Sequence, residues 1–127
     1  MYKFILPIYD VTPKSAITVN WYRNAHHHVS NKAKKNFKSL IKDQLDSFDK
    51  IDCQIKIKYT YYAKRNNKPD LDNFIGTVKK FFQDALVEHG LIDDDNVNFI
   101  VSNSEYYGGI DKDRPRVEVV INRLDFY

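Results

Sequence analysis

From residue 51 to residue 62, apolar and polar side chains alternate without a break. Ile51, Cys53, Ile55, Ile57, Tyr59 and Tyr61 fall on one side, and Asp52, Gln54, Lys56, Lys58 and Thr60 on the other. A period of two predicts a strand with one face in a core. Upstream the period lengthens. Ala33, Phe37, Leu40, Ile41, Leu45 and Phe48 recur at spacings of three and four, which predicts a helix over 31–48 with Ser30 as its N-cap. Downstream, a second helix is predicted from Asp70 to about His89. Its inner stripe is Phe74, Val78, Phe81, Phe82, Ala85 and Leu86, and Gly90 is its stop. Pro69 before it sets an extended approach and can start the first turn. Short strands are predicted at 2–8, 96–107 and 116–124, the last as a returning strand after a turn marked by Gly108-Gly109 and Asp111 to Pro115. Residues 10–29, with Pro13 and Asn20-Trp-Tyr-Arg23, read as an irregular loop, and residues 63–68 as a basic one. The order β-α-β-α-β-β predicts an α+β domain, two main helices against a small mixed sheet.

Composition narrows this to one unit. A chain of 127 residues, 43% hydrophobic and 14% aromatic, has the material for a single core, so residues 1–127 are taken as one domain. The formal net charge is only +3, but its placement is uneven. Residues 14–42 carry Lys14, Arg23, Lys32, Lys34, Lys35, Lys38 and Lys42 with no acid among them, and Lys64, Arg65 and Lys68 add a second basic stretch. Such segments are either solvated lysine-rich surface or a footprint for a polyanion, since each neutralised phosphate releases counterions. Cys53 is the only cysteine, which suits a reducing compartment and a small buried side chain. No signal peptide is seen and no apolar run approaches a bilayer's thickness, so a cytoplasmic protein without a membrane partner is expected.

Three groups of residues carry candidate chemistry. Asp70 and Asp72 stand at the entrance of the second helix. Within a helix, two residues apart would diverge by roughly 200°. At an entrance the first residue need not be helical, so the two carboxylates can converge where the helix dipole favours them. Asp93, Asp94 and Asp95 follow some twenty residues later, where the next strand can bring the chain back. Adjacent carboxylates repel unless a cation compensates them, so the two segments together suggest a hard-cation site, whereas each alone reads as an N-cap or a solvated turn. Lys79 and Lys80 on the same helix can reach a phosphate or a transition-state charge, although Lys80 with Asp84 also reads as an ordinary surface pair. Other motifs fail. An EF-hand from Asp70 would need a polar ligand at Phe74 and glycine at Ile75, and no phosphate-binding glycine loop is present. His26-His27-His28 lies in a basic loop without acidic companions and reads as DNA-facing or structural before it reads as a metal site.

On these residues the chain resembles the RusA-type Holliday junction resolvases of bacteria, their phages and prophages. The likeness centres on Lys68-Pro-Asp-Leu-Asp-Asn73, Asp84-Ala-Leu86, Gly90 and Asp93-Asp94 before Val97, with a weaker match in Asn20-Trp-Tyr-Arg23 and His28-Val-Ser30. It implies a homodimer that binds four-way DNA junctions and nicks two strands symmetrically with Mg²⁺ or Mn²⁺. It implies that Asp70, Asp72 and Asp94 are the catalytic carboxylates and metal ligands, with Asp93 as a supporting neighbour. The family usually carries a functional lysine four residues after the second aspartate of the first motif, where this chain has Gly76. Aligning on Asp84-Ala-Leu86 puts Lys80 in that role, and angular position from Asp72 prefers Lys79.

The reading is therefore a metal-dependent endodeoxyribonuclease acting at branch points in DNA recombination and repair. Arg23, Lys64, Arg65, Lys68 and Lys79 are expected to hold DNA. The alternatives are a non-catalytic branched-DNA-binding module of the same fold and a nuclease for other branched DNA.

Overall fold

A computed structural model describes residues 1–66 and 68–124. Strand β1 (Tyr2–Leu6) is followed by helices α1 (Val19–Asn24), α2 (His27–Leu40) and α3 (Lys42–Asp46). Then come β2 (Ile55–Ala63), α4 (Leu71–Glu88), β3 (Ile100–Ile110) and β4 (Arg116–Arg123). The strands form one sheet in the order β1-β4-β2-β3. β4 runs antiparallel to both β1 and β2, while β3 runs parallel to β2 across the α4 connection. This is the expected α+β domain with a mixed sheet.

Burial alternates along β2 and β4, so the sheet buries one face. Ile55, Ile57, Tyr59, Tyr61 and Ala63 of β2 join Phe4 and Leu6 of β1 and Val117, Val119 and Ile121 of β4. The helices cover that face. Phe82 of α4 meets Phe4 edge-on at 4.9 Å and Tyr59 at 6.3 Å. Phe81 meets Phe37 of α2 at 5.8 Å and Tyr22 of α1 at 5.9 Å. Aromatic pairs of this geometry add about 0.5–1.5 kcal/mol each to the area they bury. The other sheet face, with Lys56 and Lys58, faces solvent.

Several boundaries differ from the periodic reading. The helix over 31–48 is two helices. α2 starts earlier, capped by the His26 ring, which accepts the His28 N–H at 3.3 Å; Ser30 lies inside it and donates its hydroxyl to the His27 carbonyl. The helix breaks at Ile41 (φ −104°, ψ 6°), which leaves Leu40 half exposed despite its place in the stripe. The segment before it is no plain loop, since it contains α1. β2 begins at Ile55 rather than 51, because the Ile51 N–H is taken by the Leu91 carbonyl at 2.8 Å; Cys53 is only half-buried. Phe74 likewise is half-buried, and Ile75 and Thr77 join the buried face of α4 in its place. β3 runs through Gly108 and Gly109 instead of turning there. A bulge shifts the register at Tyr61/Tyr62, and the Tyr62 ring lies where a Gly108 Cβ would sit, 2.6 Å away. The turn is confined to 111–115. β4 is not the hairpin partner of β3, because β2 lies between them.

Candidate active site

The end of β2 and the start of α4 build one corner of the molecule. Beyond Ala63 the chain carries Lys64 and Arg65, both exposed, and reaches Lys68 in the left-handed region (φ 51°). Asp70 is extended (φ −87°, ψ 118°) and caps α4: its Oδ1 accepts the Asp72 N–H at 3.0 Å, and its carbonyl accepts the Phe74 N–H at 3.1 Å. Because only Asp72 is helical, the two carboxylates share one side of the helix entrance, as the sequence predicts. Both are exposed and line a shallow pocket with Val19, Asn20, Arg23 and Asn73. Phe74 anchors the entrance by stacking on Tyr61 at 4.8 Å and 14°, and the Tyr61 hydroxyl meets that of Tyr9 at 3.0 Å. Burial pushes the Tyr61 hydroxyl well above the ordinary tyrosine value, so it remains a neutral structural group.

α1 forms the opposite wall. Thr18 caps it, accepting the Trp21 N–H at 3.1 Å, and the Asn20 N–H donates to Asn73 Oδ1 at 3.0 Å. Sequence reasoning missed this helix, whose six residues are too few to show a period. It also missed the role of Gly76. A Cβ there would lie 2.6 Å from Val19 Cγ2, so only glycine lets α1 come this close to α4. The family lysine position is therefore a packing notch in this chain. The two-residue pairing Asn20–Asn73 had a signal, since both asparagines stand in the matched motifs, but nothing in the sequence pairs them.

Around this corner lies a second pocket, lined by Tyr9, Thr12, Lys14, Lys64, Arg65 and Phe74 among others, with Lys64 over the Tyr9 ring at 5.3 Å. The two pockets are lined by adjacent residues, Thr18 and Phe74 in this one and Val19 and Asn73 in the first. Arg23 is thus the cation in the wall of the carboxylate pocket, and Lys14, Lys64 and Arg65 line the neighbouring one.

Asp93, Asp94 and Asp95 lie elsewhere. α4 spans 18 residues, about 27 Å at 1.5 Å per residue. At its far end the Leu91 and Ile92 N–H groups both donate to the Leu86 carbonyl, and the Ile51 N–H pins Leu91. Asp93 pairs with Lys50 at 2.6 Å. Asp94 closes a local turn, accepting from the Asp95 N–H at 2.7 Å and from Asn96 Nδ2 at 3.1 Å. One residue beyond Asp93, Asp94 stays at the far end. The strand that returns along α4 is β3, and it is the end of β3, with Ile110 beside Ala63, that comes back to the end of β2. Among the described residues the only trio of His, Cys, Asp or Glu with ligand atoms within 4.8 Å of one another is His26, His27 and His28, all exposed. One chain thus unites Asp70 with Asp72 and leaves Asp94 apart.

The lysines divide as well. Lys79 points to β3 and pairs with Glu105 at 3.3 Å, while Lys80 is exposed. Asp84 takes Lys34 of α2 at 2.9 Å rather than Lys80, and that carboxylate raises the Lys34 pKa. Lys34 and Lys38 also meet Glu88, and Lys42 meets Asp46, so part of the basic helix is neutralised by the molecule's own acids.

The donor set at the corner is all oxygen. Hard carboxylates with open solvent access fit a Mg²⁺- or Mn²⁺-like ion and do not fit a thiophilic one. No described helix is long and apolar enough to cross a membrane. No curated protein matches the chain by sequence. Residues 10–122 match the family model described as Endodeoxyribonuclease RusA, nearly the whole domain, and the chain belongs to this family of Holliday-junction-resolving endonucleases, which bind branched DNA.

Proposed function

We propose that the protein is a divalent-metal-dependent resolvase that works as a homodimer in the cytoplasm and nicks two strands of a four-way junction symmetrically. The observation that carries this reading is the convergence of Asp70 and Asp72 on one open, cation-bordered pocket. Asp94, with Asp93 beside it, is the third acid. Since α4, about 27 Å long, separates it from Asp70 within a chain, Asp94 reaches the pair from a second copy. Two copies related by a two-fold axis would form two such sites, matching the two equivalent strands of a junction.

Mg²⁺ or Mn²⁺ held by Asp70, Asp72 and Asp94 supplies a polarised phosphodiester and a bound water of lowered pKa. The chain does the rest. The capping bond fixes the Asp70 carboxylate, and the Phe74–Tyr61 stack anchors the helix start that carries Asp72. Lys64, Arg65 and Lys68 present cations along the pocket rim to phosphates on one side. Lys79 and Lys80, about 10 and 12 Å further along α4 than Asp72, meet flanking phosphates. Such contacts set register and carry little sequence information.

The test is cleavage of a synthetic mobile junction. Wild type is expected to give paired nicks with Mg²⁺ or Mn²⁺ and none with a chelator. Asp70→Asn should lower the rate at least about a hundredfold, the equivalent of a few kcal/mol of transition-state stabilisation, while junction binding persists. Absence of cleavage with every divalent ion would leave a non-catalytic branched-DNA-binding module. Equal cleavage of linear duplex would leave a nuclease without junction selectivity.

A further inference from the structure

The pocket holding Asp70 and Asp72 has one cation in its wall, and it does not come from α4. Position 76, one turn beyond Asp72, is where a basic side chain on α4 would face the same phosphate. That place is filled by Val19, against which a Cβ would clash at 2.6 Å. Arg23 follows Val19 by four residues, on the same side of α1, and lines the pocket with the two aspartates. Three contacts fix α1 there: the Val19–Gly76 approach, the Asn20 N–H bond to Asn73 at 3.0 Å and the Tyr22–Phe81 ring pair at 5.9 Å. Arg23 itself is exposed and makes no ion pair or hydrogen bond among the described residues. Lys79, by contrast, is tied to Glu105.

We infer that Arg23 is the residue that meets the phosphate undergoing cleavage, and that α1, seated in the Gly76 notch, is the device that delivers it. This rests on the nuclease reading above. A guanidinium offers a planar fork that pairs with two phosphate oxygens at once, and its positive charge favours the extra negative charge of the pentacovalent transition state. Its work there is electrostatic. Gly76 is a positioning residue. Its replacement by alanine favours the isolated helix by about 1 kcal/mol, yet it pushes α1 and Arg23 away from the carboxylates.

The experiment compares wild type, Arg23→Ala, Arg23→Lys and Gly76→Ala on a four-way junction. Single-turnover cleavage is measured at saturating DNA with Mg²⁺, and affinity is measured separately in chelator. Arg23→Ala is expected to lose about a hundredfold or more in rate and less than about fivefold in affinity, and Arg23→Lys to recover a large part. Gly76→Ala should lose rate in a protein that still folds and unfolds cooperatively, the clash with Val19 offsetting its gain in helix preference. A junction with an uncharged methylphosphonate at the cut position should bind wild type more weakly than the natural junction. Arg23→Ala should not distinguish the two. If wild type cuts but Arg23→Ala keeps its rate within threefold, or loses affinity alone, Arg23 is an ordinary backbone contact and the inference falls while the nuclease reading stands. A wild type that cuts no junction sinks both.

Discussion

Lys68 shows how much of the site is decided residue by residue. It stands at φ 51° immediately before Pro69, in a region that a side chain with a Cβ enters at a cost on the order of 1 kcal/mol. The two residues that follow carry the chain into the extended conformation of Asp70, which is what lets its carboxylate turn back to the Asp72 N–H. The strain and the site are thus neighbours. Lys68→Gly relieves the left-handed strain, partly offset by the greater freedom of glycine in the unfolded chain. Urea unfolding should show a gain of up to about 1 kcal/mol. Junction affinity should fall a few-fold at low salt, with a smaller difference at high salt, as expected for one lost phosphate contact. A variant that is both less stable and unaltered in DNA binding would remove Lys68 from the rim of the site.

At the scale of elements, α4 joins the core to the chemistry. Its stripe of Val78, Phe81, Phe82, Ala85 and Leu86 was legible from spacing alone, because successive turns of an 18-residue helix repeat the same signal. Asp70 and Asp72 were legible for a related reason: their convergence depends on one local event, the helix beginning between them. What stayed hidden depends on contacts between distant residues. The six residues of α1 show no period, and the break at Ile41 lies in an unbroken apolar stripe. The order β1-β4-β2-β3 is set by pairing across the whole chain, and the closeness of Val19 to Gly76 spans 57 positions. The stripe also left out two buried residues, Ile75 and Thr77. Thr77 is buried, and its hydroxyl has no hydrogen-bond partner among the described residues. An unpaired buried polar atom costs about 1–3 kcal/mol. Thr77→Val should therefore raise stability by about 1 kcal/mol, read as a higher urea midpoint with an unchanged slope, and leave the DNA-facing corner untouched. A lower midpoint would mean that the hydroxyl is satisfied in solution.

At the scale of the whole molecule, the topology that makes α4 a good connection also keeps the two acidic segments apart. A parallel β2–β3 pair needs a crossover, and α4 supplies it by running the length of the sheet. The segment that starts a crossover helix and the segment that follows it must then lie at opposite ends. Asp70 and Asp72 sit at one end, and Asp93 and Asp94, pinned by Leu86, Ile51 and Lys50, sit at the other. A site needing all three acids, as proposed, would be complete only between chains, and this has a distinctive genetic consequence. Asp70→Asn and Asp94→Asn are each expected to abolish cleavage as homodimers. Mixed and re-equilibrated, they form heterodimers in which one site carries both substitutions and the other carries neither. That intact site should nick one strand of the junction, so activity reappears from two inactive proteins as single nicks rather than paired ones. Mixing Asp70→Asn with Asp72→Asn should restore nothing, because each of the two sites then receives one damaged partner from the same end of α4. No recovery in the first mixture, under conditions where subunits exchange, would show that each chain completes its own site, and recovery in the second would show that Asp70 and Asp72 serve different sites.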